Sequence, residues 1–100
     1  MGYCYLIHLD RPVGKGTAHH YIGYTLDWAV RIAEHRASKG ALLLRSANRA
    51  GIPWRVVRLW KDADRDAEKI LKAMGAKNLC PICNPRVAKR ALRARASVPV

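Results

Sequence analysis

The sequence predicts an α/β domain: a small, mainly antiparallel three-stranded sheet flanked by about three helices. Three observations predict it. Runs of aromatic and β-branched residues alternate with runs of helical periodicity. The first two strand-like runs are joined by a loop containing glycine and proline, as in a hairpin. One hundred residues, half of them hydrophobic, are enough for one core but not two.

The elements follow in order. Tyr3-Cys4-Tyr5-Leu6-Ile7-His8-Leu9 reads as a strand, 10–16 as a loop, and His20-Tyr21-Ile22-Gly23-Tyr24 as its partner strand. Thr25 is the expected N-cap of a helix from Leu26 to Ser38, with Asp27 in its first turn and a buried stripe of Ala29, Val30, Ala33 and Ala37. A second helix is expected over Ala41–Ala50, ended by Gly51 and Pro53. Trp54–Trp60 reads as a third strand, with Trp54, Val56, Arg58 and Trp60 on one face and Arg55, Val57 and Leu59 on the other. Asp62 is the expected cap of a third helix whose buried stripe is Ala67, Ile70, Leu71 and Met74, with Glu68 beside that stripe and Gly75 at its end. The domain is expected over 1–84, followed by a basic tail over 85–100.

The charge balance points to partners. Nineteen Lys+Arg against seven Asp+Glu give +12, and 69–100 carry eight basic residues and no acid. Such a domain is expected to bind nucleic acid before an anionic membrane. No apolar run reaches the ~18–20 residues of a membrane span. No secretory signal is read in Met1–Asp10, and three cysteines are not a disulfide framework, so a reduced, cytoplasmic protein is expected.

Chemistry concentrates in an ordered set. Tyr5 and Tyr21 lie on the two hairpin strands, Arg31 follows Tyr21 by ten residues, His35 is four further on, and Glu68 lies on a later helix. Taken singly, each has a bland reading: strand aromatics, a solvated helix face, and a carboxylate pairing Lys72 at i+4. Taken together, Tyr3-Cys4-Tyr5, Tyr21-Ile22-Gly23, Arg31, His35 and Glu68 resemble the GIY-YIG nuclease module over about Tyr3–Asn84. The second tripeptide matches the motif in every letter. The first keeps its tyrosine, with Tyr3 where the motif has glycine, and the spacer between the tyrosines is longer than in many members. The chain is similar in particular to small stand-alone members ending in a Cys-Pro-x-Cys segment.

The resemblance implies a metal-dependent DNA endonuclease. Tyr5 would take a proton from the attacking water with Tyr21 assisting, though the reverse assignment stays open. Glu68 would hold Mg²⁺ or Mn²⁺, and a late asparagine would brace the site, Asn78 in preference to Asn84. The residues suit this chemistry. Mg²⁺ is commonly held by one or two carboxylates plus substrate phosphate. Arg31 can grip a phosphate bidentately, and His35 can donate to phosphate or shuttle a proton.

Lys15, His20, Arg36, Lys39, Arg45 and Arg49 are the expected DNA contacts, with Arg55 and Arg58 as further groove candidates and His19 near the substrate. With no room for a recognition domain, selectivity would come from DNA shape or from a protein partner. Trp54 and Trp60 are expected in the core. Cys80-Pro-Ile-Cys83 offers half a zinc knuckle, to be completed by one or two histidines; two reduced thiols in a capping turn and a redox pair are the competing readings. The rival to a nuclease is a basic nucleic-acid-binding module that does not cut, zinc-bound or not.

Overall fold

The structure, a computed structural model, describes residues 2–87. The basic run expected over 85–100 therefore lies outside the described residues from 88 onward. The elements are β1 (Gly2–Leu9), β2 (His20–Thr25), α1 (Trp28–Arg36), α2 (Leu42–Arg49), β3 (Trp54–Ala63), α3 (Arg65–Met74) and α4 (Ala76–Leu79). A further helical turn begins at 85. The sheet is three-stranded and antiparallel in the order β2-β1-β3. Among the described residues no helix is long and apolar enough to cross a membrane.

Being central, β1 is covered on both faces, which is why its eight residues are almost wholly buried. Its alternation divides the molecule into two layers, and in place of the single core expected from length the sheet carries a hydrophobic cluster on each face. Tyr5, Ile7 and Leu9 point into one core with Leu44 and Ala47 of α2 and Trp54 and Val56 of β3. Leu6 points into the other with Ile22, Val57, Leu79 and Cys80, against which Leu71 of α3 packs.

The strict alternation expected in β3 is broken. Leu6 pairs with Arg58 but Ile7 with Val56, so one extra residue, Val57, is accommodated between them. This irregularity sends Leu59 to the core of Trp54 and Val56, and Trp60 to the opposite core with Val57. Trp54 is buried and Trp60 is partly buried, on different faces.

α1 turns a different face inward from the one its apolar spacing predicts, and α3 keeps only the Ala67 and Leu71 half of its expected stripe. On α1, Ala29, Val30, Ala33 and the following Ala37 are exposed, whereas Ile32 is half-buried and His35 is buried. On α3, Ile70 and Met74 are exposed, and Ala67, Glu68 and Leu71 face the sheet. In each case a polar residue, His35 or Glu68, takes a place that periodicity assigns to an apolar one.

The caps shift as well. Asp27, not Thr25, caps α1 by accepting from Val30 N–H at 3.1 Å, while the Thr25 hydroxyl accepts from Asp27 N–H. Asp64, not Asp62, caps α3 by accepting from Ala67 N–H at 2.8 Å. Asp62 stays in β3 with φ of 55°.

Candidate active site and metal cluster

Tyr5 and Tyr21 come from neighbouring strands, and their ring centroids lie 6.1 Å apart. Gly23 is the cross-strand partner of Tyr5. A Cβ there would run into the Tyr5 hydroxyl end and come within 2.9 Å of the Tyr21 ring. The glycine of Tyr21-Ile22-Gly23 thus leaves the space in which the Tyr5 ring lies.

His35 enters from α1, its ring centroid 5.8 Å from that of Tyr5 and 5.6 Å from that of Tyr21. Both His35 and Tyr5 are fully buried. His35 Nε2 lies 2.8 Å from the Tyr5 hydroxyl, and Ala41 N–H donates to Nδ1 at 3.3 Å. A backbone N–H can only donate, so Nδ1 holds a lone pair and Nε2 holds the hydrogen. Nε2–H therefore donates to Tyr5 Oη, which leaves the phenolic proton to point elsewhere. Burial, followed by the Arg31 guanidinium, lowers the His35 pKa to about 4, in keeping with a neutral ring. Gly40 sits against Nδ1 so closely that a Cβ there would overlap the ring.

Arg31, one turn before His35, pairs with Glu34 at 3.5 Å and acts electrostatically on Tyr5. Burial, then the Tyr21 hydroxyl, raise the Tyr5 pKa well above the ordinary phenol value, and Arg31 opposes them. The resting hydroxyl is protonated.

Of the expected catalytic set, the structure brings Tyr5, Tyr21, Arg31 and His35 together. Glu68 is on α3, in the other layer, mostly buried, paired with Lys72 at 3.2 Å and Arg65 at 3.8 Å. Its carboxylate acts electrostatically on the Cys4 thiol, the strand neighbour of Tyr5. As an oxygen donor facing the sheet it suits a hard cation, which would compete with Lys72 for it. Asn78 donates to Met74 C=O at 2.9 Å and closes the end of α3, and Asn84 donates in turn to Asn78 C=O at 2.7 Å.

The asparagine behind His35 is Asn48, which sequence reasoning missed. Its amide donates to His35 C=O and to the Ser38 hydroxyl, both at 2.9 Å, and its carbonyl accepts from Trp54 Nε1–H at 2.8 Å. It ties α1, α2 and β3 together. A polar residue one position after the buried Ala47 was the only available signal.

Of the expected DNA contacts, Lys15, Lys39, Arg45 and Arg49 are exposed. The Arg36 guanidinium lies over Trp54 at 3.5 Å and donates to its carbonyl at 3.1 Å. His20 belongs to a second centre.

That centre is on the opposite face. His8, His19, His20 and Cys83 offer ligand atoms all within 4.8 Å of one another, and such a cluster can hold a metal ion. Cys80 Sγ also lies 3.4 Å from His8 Nδ1. Cys4, Cys80 and Cys83 are all free thiols. Sequence reasoning singled out the two knuckle cysteines; it missed that the hairpin delivers three histidines to them.

No protein-family model, no curated protein and no solved structure matches this chain.

Proposed function

We propose that the protein is a metal-dependent endonuclease that hydrolyses phosphodiester bonds in DNA. The observation that carries this reading is the buried contact of His35 Nε2–H with the Tyr5 hydroxyl, beside Tyr21 and Arg31. Such a hydroxyl is held by a neutral donor and faced by a cation, and it keeps a lone pair for a water molecule.

In this reading Tyr5, as phenolate, accepts the proton of the attacking water while the phosphorus–oxygen bond to the leaving group breaks. His35 Nε2–H and Arg31 stabilise the anion, and Tyr21 orients it. Nδ1 of His35 is taken by Ala41 N–H, so the histidine positions Tyr5 and is not the final proton acceptor. Because burial keeps Tyr5 protonated at rest, the phenolate forms only once substrate and cation have changed the local charge, and the phenolic proton is then released to solvent water before the attack. Glu68 would hold a divalent cation, which would supply charge stabilisation to the phosphate and the leaving oxygen where the substrate passes from the Tyr5 face to α3. The exposed Lys15, Lys39, Arg45 and Arg49 contribute affinity through phosphates, which weakens as salt rises.

A second reading, a basic module that binds without cutting, is favoured by one observation: Glu68 is engaged by Lys72 and Arg65 in the layer away from Tyr5. One experiment separates the two. Labelled supercoiled, duplex, single-stranded, flap and junction DNAs are incubated with Mg²⁺, with Mn²⁺ or without added divalent ion. Divalent-dependent cleavage that Tyr5→Phe and Glu68→Ala both abolish supports the nuclease. Salt-sensitive binding with no cleavage of any substrate establishes the module instead.

A further inference from the structure

We infer that the protein carries a structural zinc ion, separate from the proposed reaction centre, bound tetrahedrally by His8, His20, Cys80 and Cys83. His8 Nδ1 is approached by His20 Nε2 at 3.2 Å, Cys80 Sγ at 3.4 Å and Cys83 Sγ at 3.8 Å. One imidazole nitrogen has either one hydrogen or one lone pair, so it cannot make three hydrogen bonds. Cys83 Sγ is likewise shared, with His20 Nε2 at 3.5 Å and His19 Nε2 at 3.8 Å. More contacts converge on His8 Nδ1 than one hydrogen or one lone pair can serve, and atoms so crowded are arranged around a common centre.

The spacings identify that centre. With Zn–N of about 2.05 Å and Zn–S of about 2.3 Å, a tetrahedron has N···N edges of about 3.3 Å and N···S edges of about 3.6 Å. Within the proposed set the His8–His20 N···N separation is 3.2 Å, and three N···S separations, Cys80–His8, Cys83–His20 and Cys83–His8, are 3.4, 3.5 and 3.8 Å. Thiolate and imidazole donors also suit zinc rather than the hard oxygen-seeking cations.

His8, His19, His20 and Cys83 lie mutually within 4.8 Å, and Cys80 Sγ reaches His8 Nδ1 at 3.4 Å; a tetrahedron takes four donors, so one of these five is outside. His8, His20 and Cys83 belong to any such set. His8 and His20 are direct cross-strand partners of β1 and β2 and present their rings from one rigid ladder. Cys80 is fully buried and holds the first position of a Cys-x-x-Cys turn, whose spacing brings two thiolates to one metal. His19 comes from the loop end; its Nδ1 lies 3.2 Å from Thr17 C=O and its ring lies 4.2 Å from that of His20, tilted by 45°. It is the outer neighbour of the site.

Binding displaces both thiol protons and fastens the 80–84 turn to the hairpin, closing the chain between β1 and the segment after α4. The test is made on the full purified chain. Elemental analysis is expected to give one zinc per chain, and Co²⁺ exchanged for it a tetrahedral d–d spectrum with the charge-transfer intensity of two thiolates. Cys80→Ser should halve that intensity and His19→Ala leave it unchanged. Removing zinc with a strong chelator should lower Tm by roughly 10 °C or more. An octahedral Co²⁺ spectrum without charge transfer, or no stoichiometric zinc uptake, overturns the site. Single-thiolate intensity in the unaltered protein, lost with His19→Ala, overturns the ligand assignment. None of these readouts depends on DNA cleavage, so the nuclease reading can fail while the zinc site stands, and the reverse.

Discussion

The two faces of the sheet use the same residue types in opposite ways. On one, Tyr5 and His35 meet with complementary roles, a ring N–H donor and a hydroxyl acceptor, and the other ring nitrogen is satisfied by backbone. On the other, one histidine nitrogen faces a second histidine and two cysteine sulfurs, more neighbours than a single hydrogen or lone pair can serve. The first arrangement is complete as protein; the second calls for a cation. A histidine's role is therefore set by what stands at both of its nitrogens.

The largest expected effects test whether the faces are independent. Arg31→Ala should lower cleavage by ~10²–10³-fold, as loss of a transition-state donor does, with zinc content unchanged. Cys83→Ser should lose the metal. An Arg31 variant that also loses zinc would show that the faces act as one.

Next is a pH effect. His35 has a folded pKa of about 4 against an ordinary 6.5, with Tyr5, Tyr21, Arg31 and Glu34 around it. Between those values the unfolded chain binds more protons, so stability rises with pH through the window and is lost as pH falls. The full contribution is about 3 kcal/mol. Denaturant unfolding of the zinc-loaded protein at pH 7 and pH 5, beside His35→Gln, should show a steeper loss in the unaltered chain.

Gly23→Ala comes third. Its Cβ would displace the Tyr5 ring, and overpacking of this kind costs ~1–3 kcal/mol. The midpoint of denaturant unfolding should fall, with the zinc signature kept. The smallest is Arg36→Ala, which removes a guanidinium from the Trp54 face and should cost ~0.5–1 kcal/mol at this partly exposed place. Thermal unfolding measures it.

The strands and their pairing were legible because β1 and β2 are short, aromatic or β-branched, and separated by loop residues. The grouping of Tyr5, Tyr21, Arg31 and His35 was legible through the ordered motif that the sequence resembles, since helical spacing by itself puts only Arg31 and His35 on one face. The inward face of α1 was not, nor was the rotation that leaves Ile70 and Met74 of α3 exposed while Ala67 and Leu71 face in. Periodicity assumes that the core takes the apolar stripe, whereas here it takes His35 with hydrogen bonds at both nitrogens and leaves Val30 outside. The β3 irregularity has no side-chain signature, so Leu59 and Trp60 were placed on the wrong faces. Asn48 acts through contacts with Ser38 and Trp54, which no spacing rule links. The zinc ligands are scattered for the same reason: Cys80 and His8 are adjacent only after folding.

His20 and Tyr21 are consecutive residues of β2, yet one belongs to each face. A single peptide unit thus joins two centres that have no side chain in common. β2 is an edge strand, and its ladder to β1 runs from the Tyr3–Thr25 pair to the His8–His20 pair. Fraying at the His20 end would take the histidine and the tyrosine out of place together. Amide hydrogens at 20–22 should therefore exchange as one cooperative unit, and whatever slows their exchange from one side of the sheet protects the other.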